Sequence, residues 1–319
     1  MKVISFNSYK GGACRTTTCY NTIPYLAKIL GATEKRPLLI VDFDLDSMGM
    51  TKLISDDDRF NNTYSANSLL DARNSKNRDI VDEGLDDEAG KRYFSAWEKA
   101  GRIFGLEEGS VLFLGADADV KTISDAVFEA LRTSSPIEWL IKELRDLDED
   151  VRPIAMIFDC AAGMQKTTQM ALSYSDISVV CMRPTSQFRD GTAYYLKNSY
   201  RKIFESRNVQ ERRVIVVPTS VAPITAGKGS PAYQIIRNLR SDAFTEIEDT
   251  VSFIYRRLSD YFTVDASMID SEDESNMGIP EVERLKWCEE TPLIAIKDPT
   301  EGEIEALERY KKLAEVIAR

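Results

Sequence analysis

The stretch SYKGGACRTTT, residues 8–18, decides how this chain is read. It follows a short apolar run, VISF at residues 3–6, and leads into a segment with helical spacing. A phosphate loop between a strand and a helix reads G-x-x-x-x-G-K-[ST]. Here Tyr9 and Cys14 stand at the two glycine positions, and Arg15 stands at the lysine position. The architecture is still the one such a loop needs. Consecutive backbone N–H groups in the turn, added to a helix N-terminus, make a cradle for an anion. Gly11 and Gly12 can adopt backbone angles other residues resist. Thr16 is placed to offer its hydroxyl to Mg²⁺, and Arg15 to reach phosphates. Taken alone, the stretch reads equally well as a strand, a Gly-Gly turn and a helix without a ligand.

Outward from this point, apolar runs recur at residues 3–6, 38–44, 110–116, 154–159, 177–182, 214–218 and 292–296. They are near-continuous in Val, Ile, Leu and Phe rather than alternating, as in parallel strands covered on both faces. Helical patterns separate many of them. Residues 16–30 place Ile23, Leu26, Ala27 and Leu30 on one stripe, with Gly31 as a stop. Thr300 and Glu303 form a capping box, after which Ile304, Leu307, Tyr310, Leu313 and Ile317 make a stripe. The alternation predicts a single doubly wound α/β domain over residues 1–319, with a mostly parallel sheet of roughly seven strands and helices on both faces. Residues 54–109 are acidic and polar and read as an insertion with some helix around 90–101. Residues 266–277 read as an exposed acidic loop.

The 319 residues include no histidine, which removes Ser-His and Cys-His catalysis and histidine metal sites. The five cysteines form no C-x-x-C pair and read as free thiols in a reducing cytoplasm. No apolar run reaches the ~20 residues of a membrane helix, and the N-terminus lacks a secretory pattern. Net charge is −11, yet residues 197–257 carry eleven Lys/Arg against six Asp/Glu.

Two further strands end in acids. LLIVDFDLD brings Asp42, Asp44 and Asp46 to the C-terminal end of a parallel strand, where ligands bind in open α/β sheets. IAMIFDCAAG ends in Asp159, the position of the acid that holds Mg²⁺ in P-loop enzymes. Either alone is a common polar strand end. In this order, KGG-x-x-R-TT, DFDLD and FDCAAG…ALSYSDISVVCMRPTSQFRD resemble the ParA/MinD group of P-loop ATPases with the deviant Walker A motif. VIVVPTSVAP at 214–223 and the C-terminal IPEVERLKWCEETPLIAI…YKKLAEVI extend the resemblance over most of the chain.

The resemblance implies ATP and Mg²⁺ as ligands and slow, partner-stimulated ATP hydrolysis within a nucleotide-sandwich homodimer that positions or partitions a cargo. Lys10 matches the signature lysine that reaches the partner's phosphates. Gly11, Gly12, Ala13, Cys14, Arg15, Thr16 and Thr17 match the phosphate loop, with Thr16 on the metal. Asp44 matches the acid that positions the attacking water, Asp42 its strand partner near the metal, and Asp159 the second metal-associated acid; the register at Asp42, Asp44 and Asp46 stays open by two residues. Pro218 opens the segment matched to the nucleobase. Phosphoryl transfer needs charge neutralisation and an aligned nucleophile, so a chain without histidine can carry it.

The departures matter. Arg15 keeps the charge of a lysine but is planar and forked, so binding should survive while hydrolysis slows. Cys14 would strain the loop if its position needs positive φ. It also sits beside Arg15 at a helix start, where thiol pKa values fall, although a packing substitution is the simpler reading. Arg201, Lys202, Arg212, Arg213, Arg237, Arg240, Arg256 and Arg257 would suit sequence-blind DNA binding or plain solvated helix faces. The terminal AEVIAR lacks the bulky apolar tip of a membrane-targeting helix. Two other readings stand beside the switch. One is a nucleotide-holding regulatory subunit of a larger assembly, such as a defence or signalling complex. The other is a metabolic relative, either an iron–sulfur ATPase with a cluster on Cys160 and Cys181 or an ATP-dependent ligase.

Overall fold

The computed structural model describes residues 1–54, 100–116, 150–205, 212–223, 229–269, 277–286 and 291–319. Among these residues eight strands form one sheet: β1 (Lys2–Ser8), β2 (Leu38–Phe43), β3 (Val111–Leu114), β4 (Ala155–Cys160), β5 (Ile177–Met182), β6 (Arg213–Val221), β7 (Thr263–Asp265) and β8 (Ile279–Pro280). Their order is β3-β2-β4-β1-β5-β6-β7, with β8 beside β6, and every pairing is parallel. From β1 the chain steps one way to β2. From β4 it crosses back over β1 to β5. The reversal leaves a crevice at the C-terminal ends of β1 and β4, the place where doubly wound sheets bind ligands.

The helices are α1 (Arg15–Leu30), α2 (Gly49–Ile54), α3 (Ala100–Ile103), α4 (Lys166–Tyr174), α5 (Ser186–Tyr195), α6 (Arg201–Glu205), α7 (Pro231–Leu258) and α8 (Glu301–Ala318). A π-helical turn, Leu196–Tyr200, joins α5 to α6. Successive strand residues point to opposite faces, and two cores result. Val179 and Cys181 pack with α1 and α8 on one face, while Val180 and Val214 pack with Leu172, Tyr195, Ile254 and Leu258 on the other. β2, β4 and β5 are buried along their whole length, which explains their unbroken apolar sequence. Each fully buried Val, Leu or Ile contributes about 1.5–3 kcal/mol, so this sheet is a stiff platform for whatever its ends carry.

α1 runs through Pro24, which removes one helical hydrogen bond. The helix persists because its inner face, including Ile23, Leu26 and Ala27, is buried against β1 and α8. The capping box forms as expected: Thr300 Oγ1 accepts from the Glu303 N–H, and Glu303 Oε2 accepts from the Thr300 N–H at 2.7 Å.

Several expectations need correction. Residues 292–296 are not a strand: Leu293–Ala295 is a 3-10 turn. Leu293 is buried and its N–H donates to Asn21 Oδ1 at 2.8 Å, so the run is consumed in packing between α1 and α8 rather than pairing with the sheet. β7 and β8 escaped notice because they are three and two residues long. Ile304 is exposed, and the inner face of α8 is completed by Ala306, Ala314 and Val316. The loop at 266–277 is anchored at both ends by the fully buried Met268 and Met277, while its acidic run at 270–276 lies outside the described residues. Most of the 54–109 insertion, at 55–99, also lies outside them, as does Cys288.

Candidate functional site

β1 stops at Ser8, α1 starts at Arg15, and residues 9–14 turn between them at the crevice. The turn needs left-handed backbone twice, at Gly12 (φ 82°) and at Cys14 (φ 52°, ψ 29°). Gly12 meets this freely, whereas Cys14 carries a Cβ into a region that costs about 1–2 kcal/mol. Bonds from β6 hold the turn. Thr219 Oγ1 donates to the Ala13 carbonyl at 2.9 Å, and Cys14 Sγ lies 3.1 Å from Ser220 Oγ. Ser220 is itself left-handed, at φ 53°.

Behind the turn sits a compact charge cluster. Arg15 Nε donates to Asp159 Oδ1 at 2.9 Å, and Arg15 Nη2 donates to Asp44 Oδ2 at 2.7 Å. Nη2 also lies 3.1 Å from Thr16 Oγ1, and that hydroxyl donates to Asp159 Oδ2 at 2.7 Å. Arg15 thus points into the carboxylates. Burial disfavours its charge, but Asp159 and Asp44 outweigh burial and push its pKa up. Breaking such a buried pair by removing one partner costs about 3–5 kcal/mol.

The three acids after β2 divide. Asp44 faces Arg15, and its Oδ1 also accepts from the Ser47 N–H. Asp46 is exposed. Asp42 pairs in register with Asp159, yet its side chain turns to α2 instead. Its Oδ2 accepts from the N–H and hydroxyl of Thr51, both at 2.8 Å, and its Oδ1 from the Asp44 N–H. Thr51 in turn accepts from the Ala116 N–H. Asp42 therefore ties α2 and the end of β3 to the sheet. Burial, with Asp159 beside it, raises its pKa to about 7. The structure brings together Arg15, Thr16, Asp44 and Asp159, and holds Asp42 one strand aside.

Lys10 is half-buried at the mouth of the turn, its Nζ 4.8 Å from the centre of the Phe188 ring on α5. Tyr9 lies on Gly191, where a Cβ would stand 2.2 Å from its ring. The turn after Asp159 is fastened to the same place, with the Gly163 N–H on the Ser8 carbonyl and Tyr195 Oη on the Gly163 carbonyl. The π-helical turn lets Tyr200 Oη donate to Asn7 Oδ1 at 2.6 Å.

Past Cys14 opens a cavity of about 290 Å³, lined by Gly12, Thr17, Arg183, Ser220, Glu281 and Lys286 among others. Thr219 and Ser220 line it, and Pro218 does not: Pro218 points toward Gly278 inside the sheet. Pro280–Glu281 and Lys286 lie in the C-terminal stretch matched above, but nothing in it marked them as lining a cavity. Phe188, Gly191 and Thr51 were likewise invisible, since each matters only through a contact distant in sequence.

Among the eight basic residues considered for DNA, three are spent internally. Arg212 donates to the Leu172 and Ser173 carbonyls, Arg213 to those of Val316 and Ile317, and Arg240 to Ala222 and Glu305. Arg201, Lys202, Arg237, Arg256 and Arg257 are exposed, Arg201 stacking on Tyr261. Cys160 and Cys181 are fully buried, and burial pushes their thiols up, Cys181 to about 12. No group of three or more Cys, Asp or Glu side chains arranged to hold a metal occurs among the described residues. No helix among them is long and apolar enough to cross a membrane.

The sequence matches no family model and no curated protein. Solved structures do match. The MinD cell division protein of Aquifex aeolicus is 17% identical, with 100% of this chain and 97% of that chain covered and a TM-score of 0.56. The McdA–ATP complex of Cyanothece is 13% identical, with 99% and 96% covered and a TM-score of 0.58. Cobyrinic acid a,c-diamide synthase of Mycobacterium smegmatis, with an ATP analogue and magnesium, is 15% identical, with 100% and 94% covered and a TM-score of 0.54. This chain has the P-loop fold that MinD, McdA and ParA-family ATPases share.

Proposed function

We propose that this chain binds ATP with Mg²⁺, hydrolyses it slowly, and acts as a switch that pairs with a second copy to position or partition a cargo. The observation that carries the reading is the joining of a left-handed turn at Gly12 and Cys14 to Arg15, Thr16, Asp44 and Asp159 at the ends of three parallel strands. A hydroxyl and a carboxylate 2.7 Å apart are hard oxygen donors that fit Mg²⁺. That ion is commonly held by one or two protein oxygens plus phosphate and water, so a larger carboxylate cage is not needed. Thr16 and Asp159 would hold it, and it would neutralise charge developing on the phosphates. The turn's N–H groups and the start of α1 would take the phosphates, and the cavity beyond Cys14 the nucleoside. The ATP in the McdA structure, and the ATP analogue with magnesium in the synthase structure, support this assignment.

Lys10 at the mouth of the turn is the candidate for reaching a partner's phosphates, and Asp44 for ordering the attacking water. Light scattering with and without Mg-ATP tests the switch. A dimer that forms on Mg-ATP, strengthens in Asp44→Ala and is lost in Lys10→Ala is expected; one unchanged mass would refute it. The cargo would reach the switch through a protein that stimulates turnover, with Arg201, Lys202, Arg237, Arg256 and Arg257 available to DNA. DNA contact through them would weaken steeply with salt.

One observation favours a second reading. Asp44, the acid assigned to the water, is bound to Arg15 at 2.7 Å. A chain that kept this pair would hold nucleotide without turning it over, as a regulatory subunit. Tight binding with no phosphate release, with and without DNA, selects that reading.

A further inference from the structure

Arg15, Thr16 and Asp159 are the groups that phosphates and a divalent cation would each require, and here they are bound to one another. Asp159 is fully buried, and Asp44 nearly so. Among the described residues, no other cation forms an ion pair with either. Asp42 is engaged elsewhere, with Thr51 on Oδ2 and the Asp44 N–H on Oδ1. Lys10 lies over Phe188.

We propose that Arg15 is an exchange lock: it turns to phosphate only when a divalent cation takes its place beside Asp159. Nucleotide and cation therefore bind as one unit. The inference rests on the nucleotide reading above. Drawing Arg15 out alone strands buried carboxylates without a counter-charge, which is strongly unfavourable. A divalent cation alone meets a guanidinium already seated 2.7–2.9 Å from both carboxylates. Each ligand alone is opposed and the two together are not, so each must raise the other's affinity by the same factor. Arginine suits this role better than lysine. Its fork holds Asp159 through Nε and Asp44 through Nη2 at once, whereas an ammonium is one point charge.

The test measures binding of a fluorescent ATP analogue in excess Mg²⁺ and in excess chelator. The lock predicts affinity at least 100-fold weaker in chelator. Asp44→Asn should tighten chelator affinity at least tenfold, and this gain should vanish in the Arg15→Lys background, as a double-mutant cycle reads coupling. A gain of equal size in both backgrounds would mean simple removal of negative charge and would overturn the lock. In the unaltered protein, the Arg15 Nε–H resonance should move with nucleotide plus Mg²⁺ and stay in place with nucleotide in chelator. Movement in chelator would also overturn it. Binding that ignores the metal refutes the lock and leaves the nucleotide reading intact, whereas no binding in Mg²⁺ refutes both.

Discussion

Arg15 and Arg240 do similar chemistry in different places. Both are buried, and both hold a carboxylate at 2.7 Å, Asp44 for Arg15 and Glu305 for Arg240. Arg240 links α7 to α8 and to the chain after β6, through the Ala222 carbonyl. Its partners are elements that must stay together. Arg15 links the ends of β2 and β4 beside a turn whose Gly11, Gly12 and Cys14 are exposed. Its partners lie where parallel strands end and ligands enter. A buried ion pair is weak evidence of stability in itself, and here position separates a brace from a site.

Substitutions can break that comparison. Arg15→Met should give the largest loss, about 3–5 kcal/mol in urea unfolding, because it leaves Asp44 and Asp159 without a counter-charge. It should also abolish thermal protection by Mg-ATP. Survival of that protection would move Arg15 into the class of Arg240.

Asp42 sharpens the site side. Its folded pKa lies above the unfolded value, about 7 against 3.8. Its protonated form is therefore favoured on folding. The contribution is complete below pH ~4, is lost as pH rises toward 7, and at ~1.4 kcal/mol per pKa unit is on the order of 4 kcal/mol. Asp42→Asn, which keeps an acceptor for Thr51, should flatten the stability profile across that window. An unchanged slope would place the titration elsewhere.

Arg240→Met should cost about 1–3 kcal/mol through lost hydrogen bonds to Glu305 and Ala222. Nucleotide affinity should stay within twofold, and a larger fall would make Arg240 part of the site. Cys14→Gly should have the smallest effect, a gain of up to about 1 kcal/mol from relieving a left-handed Cβ. That gain is reduced by the freer unfolded chain and the lost contact with Ser220. A loss beyond 1 kcal/mol would show the Sγ–Oγ contact to matter more than the strain.

Parts of this architecture were legible because their signals are local. The strand runs at 3–6, 38–44, 154–159 and 177–182 announce themselves by unbroken apolar residues, and α8 by Thr300 and Glu303. The run at 292–296 carries the same composition and fails, since whether an apolar run pairs or packs depends on where the sheet leaves room. The candidate residues Arg15, Thr16, Asp44 and Asp159 were named by spacing and strand ends. Their mutual bonds were not, because residues 15 and 159 meet only through the β1–β4 pairing.

The sequence by itself determined a strand-turn-helix at residues 2–30, acids at the ends of two further strands, and the absence of histidine chemistry. Those are facts of order and composition. The tertiary structure decided that Cys14 takes a left-handed backbone braced by Ser220, that Asp42 serves Thr51 while Asp44 serves Arg15, and that Arg212, Arg213 and Arg240 face inward. Each of these depends on which groups a buried charge or a strained turn finds within about 3 Å. Only the packed sheet brings such groups together.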